Sequence, residues 1–520
     1  MLPVLASDDV LDRPKETIKM TSAIADFYKD KNVFVTGATG FLGKVLVEKL
    51  LRSCPEVKGI YLLIRPRGPQ TVQERLNKMV ECKLFDKVRH EQPTFHCKLH
   101  AIPGEMCEPD LGISQSDQGM LVSKIHILFH AAATVNFNAP LKASMQLNVV
   151  GTRYVIALCH DLKHLQAFVH VSTAYANCDR SYIEEVIYPS PVQPLKLIDT
   201  LEWMDNTMVT KLTPDLIGKR PNTYTFTKAC TEYLLTQEAA DLPLSIVRPS
   251  IIGGSWREPL VVGTGLLRFM RGKNSAYADI VPVDMTANLI IAAAWDTAVS
   301  RAETIPVYNV TSGGVNPLKW GEFSAMLGTY FNKHPLDKLF RTPNITFINN
   351  SFMYQFWQIV SHKGPAFLYD IWLSMIGQKP KVWKMYEKVE RALSKFEYFT
   401  SHHWEWSHDN TDALMAKMGT EDKKIFNFDY RGLHWPTYME NYVLGMKKYV
   451  LKEDMDHLPM TKARLNRLRN IPRCFNTILI VVVWRVLIAR TKIARNIWHL
   501  VVSLCFKFLQ YLRISSKRGH

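Results

Sequence analysis

The sequence lacks the cysteine pattern of a disulfide-stabilised or zinc-binding protein. Its nine cysteines among 520 residues are scattered, and no two form a CxxC pair. This pattern favours reduced thiols in a reducing compartment, and we expect no metal site. The mean hydropathy of −0.08 excludes a membrane protein with many spans. The length and the hydrophobic content of 47% leave room for a large core and about three domains.

Acidic residues are absent from the last sixty positions, where 13 lysines and arginines stand. The whole chain has a formal charge of +16, so residues 1–460 carry only +3. A nearly neutral body with a basic tail is not the pattern of a nucleic-acid-binding protein, and we expect no nucleic-acid partner.

The basic tail, residues 461–520, is also apolar, but it has no uninterrupted apolar run of the ~20 residues that a spanning helix needs. Arg485 interrupts the run Cys474–Ala489, and Lys507 interrupts the run Ile497–Leu512. Long basic side chains can extend their charge to the lipid surface. We therefore predict membrane attachment through this tail, either as a spanning helix or as an interfacial hairpin. A buried helical hairpin is the alternative.

A glycine-rich turn stands between a predicted strand and a predicted helix in KNVFVTGATGFLGKVLVEKLL, which begins at Lys31. This context is typical of a dinucleotide-binding fingerprint. Gly37 permits the tight turn, Gly40 lets the backbone approach a pyrophosphate, and Gly43 allows close helix packing. The helix N-terminus supplies amide donors for the phosphates. The residues expected to contact the cofactor here are Gly37, Thr39, Gly40, Phe41, Leu42 and Gly43.

The next predicted strand, in KGIYLLIRPRG, ends at Arg65 and Arg67. Arg65 lies 22 residues after Gly43, where an NAD-binding fold usually places an acid for the ribose 2′-hydroxyl. An arginine suits a 2′-phosphate instead. We therefore predict NADPH as the cofactor, bound through Arg65 and Arg67.

Further strand patterns begin at Lys124, Gln166 and Leu242, and helical patterns separate them. This alternation predicts an α/β fold with a Rossmann-type doubly wound parallel sheet. Such sheets bind ligands beyond the carboxyl ends of their strands. The polar residues that fall at these ends are His130, Ser172, Thr173 and Ser250.

Tyr224 and Lys228 are spaced i, i+4 in NTYTFTKACTEYLLTQEAA, so they project from one face of a predicted helix. A lysine ammonium near a phenol lowers the phenol pKa from its ordinary value of about 10. Such a tyrosine can give a proton to a carbonyl oxygen as hydride reaches the carbon, while the lysine hydrogen-bonds the nicotinamide ribose. A strand-end hydroxyl, Thr173 or Ser172, would orient the carbonyl. The predicted catalytic residues are Tyr224, Lys228, Thr173 and Ser172.

Five motifs follow one another: TGATGFLG, HAAATVNF, HVSTAY, the Tyr224–Lys228 pair and VRPS. With them the chain resembles the extended short-chain dehydrogenase/reductase superfamily. Its segments KVLVEKLLRSCPEVKGIYLLIRPR, TLEWMD and NYVLGMKKYVLKEDM are similar to those of the fatty acyl-CoA reductases, from about Lys31 to about Lys517. The resemblance implies NADPH-dependent reduction of a long-chain acyl-CoA to a primary alcohol. CoA is released, an aldehyde forms on the way, and Tyr224 is the acid in both steps.

The resemblance also implies the domain organisation. A reductase domain is expected over 29–345, after an N-terminal extension over 1–28. A mainly helical "sterile" domain follows over 346–460, and the membrane-associated tail occupies 461–520. The aromatic residues of the sterile region are expected in its core.

The implied partners are a long-chain acyl-CoA substrate and membrane lipid bound through the tail, and a homodimer is a further candidate. The relatives that the chain resembles are peroxisomal or endoplasmic-reticulum proteins with a cytosolic catalytic body, and we favour the peroxisomal membrane. The N-terminus is acidic and without a long apolar core, so no secretory signal is expected. The motifs leave open a membrane-bound hydroxysteroid dehydrogenase, a nucleotide-sugar epimerase or a membrane-tethered NADPH sensor.

One junction departs from the family that the chain resembles. After VRPSIIGGSWREP, only LVVGTG precedes LLRFMRG, which has a helical pattern, whereas the similar reductases have a longer junction. A segment after a strand end would line the substrate mouth. A shortened loop between Pro259 and Leu266 thus predicts a weakly active form, with normal NADPH binding but weak acyl-CoA reduction or release of aldehyde.

Overall fold

The structure is a computed structural model that describes residues 22–253, 263–453 and 458–470, together with scattered positions between 485 and 507. Most of the tail after residue 470 and the first half of the shortened junction, together with Pro259, therefore lie outside the described residues, and both expectations stay predictions.

Strands are short and are distributed over the first four-fifths of the chain. They are β1 Asn32–Thr36, β2 Gly59–Ile64, β3 Leu99–Pro103, β4 Ile127–His130, β5 Ala167–Val171, β6 Tyr182–Ile183, β7 Leu244–Pro249, β8 Ile251–Gly253, β9 Phe269–Arg271, β10 Ile280–Pro282, β11 Val307–Val310, β12 Thr346–Ile348 and β13 Glu405–Trp406.

Helices separate most of these strands and dominate the chain after β12. They are α1 Ala23–Phe27, α2 Phe41–Ser53, α3 Val72–Val80, α4 Asp86–Glu91, α5 Gln115–Lys124, α6 Leu141–Met145, α7 Gly151–Asp161, α8 Pro194–Trp203, α9 Asn206–Ile217, α10 Thr223–Glu238, α11 Val283–Ser300, α12 Trp320–Lys333, α13 Ser351–Gln358, α14 Gly364–Met375, α15 Val382–Leu393, α16 Glu397–Ser401, α17 Asp409–Lys417, α18 Thr420–Ile425 and α19 Trp435–Gly445. Short π-helical turns follow α6, α13 and α19.

Seven strands form one parallel sheet in the order β11-β7-β5-β4-β1-β2-β3. The predicted doubly wound sheet is therefore confirmed. Strands such as β1 and β2 are buried along their whole length because helices cover both faces of the sheet. The order reverses between β1 and β4, and the crevice beyond the carboxyl ends of these two strands is where such sheets bind ligands.

Helices α2 and α11 pack against one face of the sheet through residues such as Leu46 and Ile290. Helices α5, α7 and α10 pack against the other face through residues such as Leu121 and Leu235. Both layers follow from apolar residues at helical spacing. The carboxyl edge of the sheet stays accessible between them.

The part of the chain after β12 is mainly helical, as expected, and it is tied to the sheet domain by strand pairing. Strand β13 pairs with β6, and β12 pairs with β9. The second pairing corrects one prediction: the segment LLRFMRG, predicted to be helical, contributes Phe269–Arg271 as strand β9. Its partner β12 lies about 75 residues later in the chain, and that pairing overrides the local helical pattern.

The expected burial of the sterile-region aromatics is only partly correct. Trp404 and Trp435 are buried, whereas Phe356, Tyr369 and Trp372 are exposed over about half of their surface. Within the described ranges, no helix is long and apolar enough to cross a membrane. The same ranges contain no group of side chains that could hold a metal ion.

Candidate active site

The glycine turn between β1 and α2 has the geometry of a dinucleotide cradle. Gly37 has a φ of +75°, and a Cβ atom there would lie 2.7 Å from the amide nitrogen of Ala132. A Cβ atom on Gly43 would overlap the Gly37 carbonyl oxygen, so the helix could not pack this closely against the turn. Gly40 is the N-cap of α2, whose first amides point toward the turn. The residues present fit a pyrophosphate.

A cavity of about 250 Å³ opens beside this turn, where the adenosine half of a dinucleotide would lie. Thr39 and Arg65 line it, together with Arg75, which the sequence reasoning missed. The Arg75 guanidinium donates to the Arg65 carbonyl and lies 3.5 Å from the Thr39 hydroxyl. Burial and the charges of Arg65 and Arg67 lower the pKa of Arg75. The cavity therefore holds two guanidinium groups.

The cavity is less basic than the sequence predicted, because one acid lines it and Arg67 does not. Glu105 also lines the cavity and forms an ion pair of 3.3 Å with Arg65. Arg67 is exposed in a turn that bridges to Gln70, and it is not among the cavity's lining residues. Phe41 is also outside the cavity lining, with about half of its surface exposed.

Leu42 packs against the core beside the sheet rather than into the cavity. The predicted cofactor contacts that gather around the cavity are thus Gly37, Thr39, Gly40 and Arg65, while Gly43 shapes the turn from behind.

Tyr224 and Thr173 meet at the carboxyl end of β5. Asn222 caps α10 by accepting a hydrogen bond from Thr225, which places Tyr224 in the first turn of the helix. Burial raises the pKa of Tyr224 to about 12, and the neighbouring Thr173 hydroxyl opposes this shift. The Thr173 hydroxyl also donates to the Pro249 carbonyl at 3.3 Å. At neutral pH the phenol is protonated and ready to act as an acid.

Lys228 is placed differently from the expectation that it lowers the Tyr224 pKa. Its ammonium is buried and donates to the Val171 carbonyl, at the end of β5, at 2.7 Å. Burial lowers the pKa of Lys228 to about 8, and the nearby Glu232 opposes this shift. Burial acts on both groups and favours their neutral forms, so desolvation dominates over attraction at this site.

Ser172 points away from Tyr224. Its hydroxyl donates to the Glu232 carboxylate, which forms a fully buried ion pair of 2.7 Å with Arg248. Successive residues of an extended strand point to opposite sides, so only one of Ser172 and Thr173 can face the site. The structure thus favours Thr173 as the hydroxyl beside Tyr224 and gives Ser172 a place in a buried polar cluster.

Two further strand-end residues, His130 and Ser250, stabilise the segments around the site. His130 forms hydrogen bonds with Thr36 at 2.7 Å and with Thr152 at 3.0 Å. Burial lowers the pKa of His130 to about 3, so its ring is neutral at physiological pH. Ser250 donates to the buried Asp279 at 3.0 Å. Both residues join strand ends to neighbouring segments.

Asn148 was missed by the sequence reasoning. It lies in the π-helical turn Gln146–Val150, where its amide donates to Thr227 at 2.9 Å and accepts from the Thr134 backbone at 2.9 Å. It therefore ties α10 to the loop after β4. Turns of this kind are frequent at functional sites, but no local sequence signal marks one.

An apolar cavity of about 120 Å³ lies between the sheet domain and the sterile region. Ile251, Met270, Phe399 and Tyr438 are among its lining residues. Phe137 links the cavity to Tyr224, because its ring centroid is 5.9 Å from that of Tyr224 and 5.8 Å from that of Phe399. An apolar chain could enter this space with its polar end at Tyr224.

Comparisons with known proteins agree with this geometry. An NAD-binding family model described as "Male sterility protein" matches residues 35–290, and a model of the same description for the sterile region matches residues 361–453. The chain is 51% identical over 509 residues to "Fatty acyl-CoA reductase 1" of Xenopus laevis and 50% identical to that of Homo sapiens. Both alignments cover 95% of this chain and 99% of the relative.

A solved structure shares the fold at lower identity. The reductase domain of a nonribosomal peptide synthetase from Mycobacterium tuberculosis superposes with a TM-score of 0.53 at 22% identity, covering 81% of this chain and 92% of that one.

Proposed function

The chain belongs to the fatty acyl-CoA reductase family, and from that premise we propose that it reduces a long-chain acyl-CoA to the primary alcohol with NADPH. One observation carries the proposal. Tyr224 lies beside Thr173, and the Phe137 ring connects it to an apolar cavity whose lining suits an acyl chain.

The preference for NADPH is supported by the charge of the adenosine-side cavity. Arg65 and Arg75 both border it, and Glu105 neutralises only one of them. A net positive charge favours a 2′-phosphate, which accepts charge-assisted hydrogen bonds from guanidinium groups. A ribose 2′-hydroxyl would gain much less from the second arginine.

The chain's own residues supply binding, orientation and protons. The bound cofactor supplies one hydride for each reduction, so two molecules of NADPH are used and the oxidised cofactor is exchanged between the two steps. Tyr224 donates its proton to the oxygen of the reacting carbonyl, first in the thioester and then in the aldehyde, and the Thr173 hydroxyl orients that oxygen. Between the two reductions the hemithioacetal hydroxyl returns its proton to the Tyr224 phenolate, the carbon–sulfur bond breaks, the aldehyde forms and CoA leaves as a thiolate. Lys228 fixes the end of β5 through Val171 and so keeps Thr173 beside Tyr224.

The fatty chain is expected in the apolar cavity, with the CoA portion outside it. Removing an apolar chain from water stabilises binding by about 0.8 kcal/mol per buried methylene group, so a cavity with nearly no polar lining favours an acyl chain over a polar group. The aromatic walls Phe396 and Phe399 come from the sterile region, and Ile251 comes from the sheet domain. The substrate site therefore needs both parts of the chain.

Membrane attachment through residues 461–520 belongs to the same proposal. The basic and apolar composition of this tail favours lipid contact, and an amphiphilic substrate with a lipid product suits an enzyme at a membrane surface. A cytosolic catalytic body at the peroxisomal membrane remains the favoured location, and a homodimer remains a candidate assembly.

A product assay tests the proposal. The purified protein is given acyl-CoAs of graded length with NADPH or NADH, and thiol release and products are followed by mass spectrometry. We expect fatty alcohol and free CoA, with NADPH preferred. Tyr224→Phe should lower the rate about 10²- to 10⁴-fold, because the general acid is lost. Tyr233→Phe, nine residues along the same helix, is the matched control. Absence of thiol release from every acyl-CoA would overturn the proposal.

A further inference from the structure

A nearly continuous helix in the sterile region turns its apolar side to solvent. It runs from α13 through the π-helical turn Ile359–Lys363 to the end of α14. The exposed apolar side chains recur at helical spacing, and Phe352 and Met375 are each more than three-quarters exposed. We call this surface the apolar face; its principal members are Phe352, Phe356, Ile359, Leu368, Trp372 and Met375.

Several polar residues of this helix are buried while large apolar residues face solvent, the reverse of an ordinary surface helix. His362 is buried and accepts a hydrogen bond from the backbone amide of Arg268 at 3.1 Å. The buried Asp370 accepts from the first amides of α15, including that of Trp383 at 2.9 Å. Ser361 accepts through its carbonyl from Arg341 at 2.7 Å. These polar contacts and the burial of Ala366 and Leu373 hold the helix, and its exposed apolar residues are left for something outside the described chain.

Basic residues border the apolar face. The segment 351–396 contains seven lysines and arginines but only three acids. Lys379, Lys381, Lys384 and Lys388 follow directly after the helix and are all exposed. Two copies of this surface brought together would set like charges against each other. Anionic lipid headgroups would instead attract them.

The aromatic and basic composition also matches a lipid interface, where tryptophan, phenylalanine and leucine enter the acyl boundary and lysines stay at the headgroups. Buried polar residues such as His362 and Asp370 hold this helix against the protein, and among the described residues no helix is long and apolar enough to cross a membrane. The geometry of the face thus suits a helix lying on a membrane surface.

The apolar face adjoins the wall of the acyl cavity. Trp357 stacks on Phe269 with ring centroids 5.2 Å apart, and Tyr386 donates to the Leu266 carbonyl at 3.0 Å. The neighbouring residues Leu267 and Met270 line the cavity. A membrane under this face would lie next to the segment that forms one side of the cavity.

The start of the basic tail lies near the same surface. Arg464 donates to the Asp337 carbonyl at 3.0 Å, and Arg341 holds the helix of the apolar face. Asp337 and Arg341 are four residues apart, a separation of at most about 14 Å. A tail that entered a membrane soon after this point would bring the apolar face to the same membrane.

We propose that the apolar face of residues 351–376 docks on an anionic lipid surface, as a second membrane contact besides the tail, and that fatty substrate passes from that surface into the cavity. The docking itself does not depend on the reaction; only the passage of substrate rests on the proposed function.

Photocrosslinking of the full-length protein in vesicles tests the docking. The photoreactive residue p-benzoyl-phenylalanine replaces Leu368 in one variant and Met375 in a second, so that one poorly folding variant does not decide the result. A third variant carries it in place of Val299, which is as exposed as Leu368 but lies at the end of α11. Vesicles contain phosphatidylcholine alone or with phosphatidylserine, and adducts are identified by mass spectrometry after NADPH binding has confirmed the fold.

We expect phospholipid adducts at positions 368 and 375 and at most one-tenth as much at position 299. The combined variant Lys381→Glu, Lys384→Glu and Lys388→Glu should lower the lipid adducts about threefold or more in vesicles with phosphatidylserine, and less in phosphatidylcholine alone. Adducts to a peptide within residues 471–520 would show that the tail covers the face. Adducts to a second copy would show a dimer, and absence of any adduct would show a free surface. Each of these three results overturns the proposal, whereas loss of reductase activity alone leaves the docking result unchanged.

Discussion

Arg75 is the residue whose position was least expected, and it offers a direct test of cofactor choice. It borders the adenosine-side cavity together with Arg65. We predict that Arg75→Ala and Arg65→Ala each raise the KM for NADPH about tenfold or more, because each removes a charge-assisted contact with the 2′-phosphate. The KM for NADH should change much less.

Arg67→Ala is the matched control for these two variants. Arg67 is exposed and is not among the cavity's lining residues. The measurement is initial-rate kinetics with both cofactors on one acyl-CoA. Equal effects of Arg75→Ala on NADPH and NADH would remove Arg75 from 2′-phosphate recognition, and a large effect of Arg67→Ala would restore the role that the sequence suggested for it.

Because the Lys228 ammonium is buried, we expect the free energy of unfolding to depend on pH in the alkaline range. The pKa of Lys228 falls from the ordinary 10.5 to about 8 in the folded protein, chiefly because of burial. Between these values the unfolded chain binds more protons than the folded one, so the free energy of unfolding should rise with pH in this window. Relative to Lys228→Met, the cofactor-free protein should gain roughly 2 kcal/mol between pH 8 and pH 10.

Urea unfolding at several pH values measures this difference, and Lys211→Met, at an exposed position in α9, is the control. The subtraction of a variant that lacks only one lysine removes the titration of all other groups. A wild-type curve that runs parallel to that of Lys228→Met across this window would show that Lys228 is not desolvated.

Glu185 connects the sheet to the sterile region at the scale of whole elements. Glu185 follows β6. Its carboxylate accepts hydrogen bonds from the backbone amide of Asn309 in β11 at 2.7 Å and from the Thr411 hydroxyl in α17 at 2.6 Å. It also accepts from the amide of Asn410. Glu185→Ala would leave these buried donors without an acceptor, at about 1–3 kcal/mol each.

We therefore predict that Glu185→Ala lowers the free energy of unfolding by about 3 kcal/mol or more. The adjacent Glu184→Ala, an exposed position, should change it by less than about 0.5 kcal/mol. Denaturant unfolding followed by circular dichroism compares the two. Similar stabilities for both variants would mean that the Glu185 network does not hold the sterile region in place.

The local sequence pattern was sufficient to predict those helices and strands whose packing partners are near in sequence. The strand–turn–helix around Gly37 was predictable because buried strands and amphipathic helices have strong periodicities. The helix that carries Tyr224 was also predicted, although it is buried on most sides and has no amphipathic pattern. Strand β3 has a mixed pattern of burial at the sheet edge and follows a short 3₁₀ turn, so nothing marked it. Strand β9 depends on a distant partner, and its apolar residues at helical spacing pointed the wrong way.

The candidate site shows the same division. The i, i+4 spacing brought Tyr224 and Lys228 to one helix, but a sequence cannot tell which of the adjacent Ser172 and Thr173 faces inward. The alternation of inward and outward side chains along the strand decides that, and this alternation is fixed by packing across the sheet. Arg75 was missed because it reaches the cavity from α3, outside the motif, through a long side chain.

The whole molecule depends on contacts between distant parts of the chain. The acyl cavity has walls from β8 and β9 and from residues more than 120 positions later, including Phe399 and Tyr438. Neither half would enclose this space alone. An isolated reductase domain is therefore expected to keep the nucleotide cradle but to lose the enclosed acyl site.

The boundary of the tail gives the last prediction. The sequence suggested a tail beginning at residue 461, but residues 458–470 are helical and pack on the body. Leu465 is buried, and Arg469 donates to Asn332 at 3.3 Å. A chain that ends at Asn470 should therefore keep the melting temperature of the full chain. A chain that ends at Met460 loses the burial of Leu465, worth about 1.5–3 kcal/mol, and should melt several degrees lower.

The same two truncations separate the tail from the apolar face. Both lack the apolar runs after residue 470, so both should leave neutral membranes and stay in the supernatant on sedimentation. If the apolar face docks on anionic lipid, the chain ending at Asn470 should still bind vesicles rich in phosphatidylserine at low salt and should release from them at high salt, because screening weakens the lysine contacts. Equal melting temperatures of the two truncations would place helix 458–470 outside the folded body. Sedimentation with neutral vesicles in high salt would instead mean that the main anchor lies before residue 471.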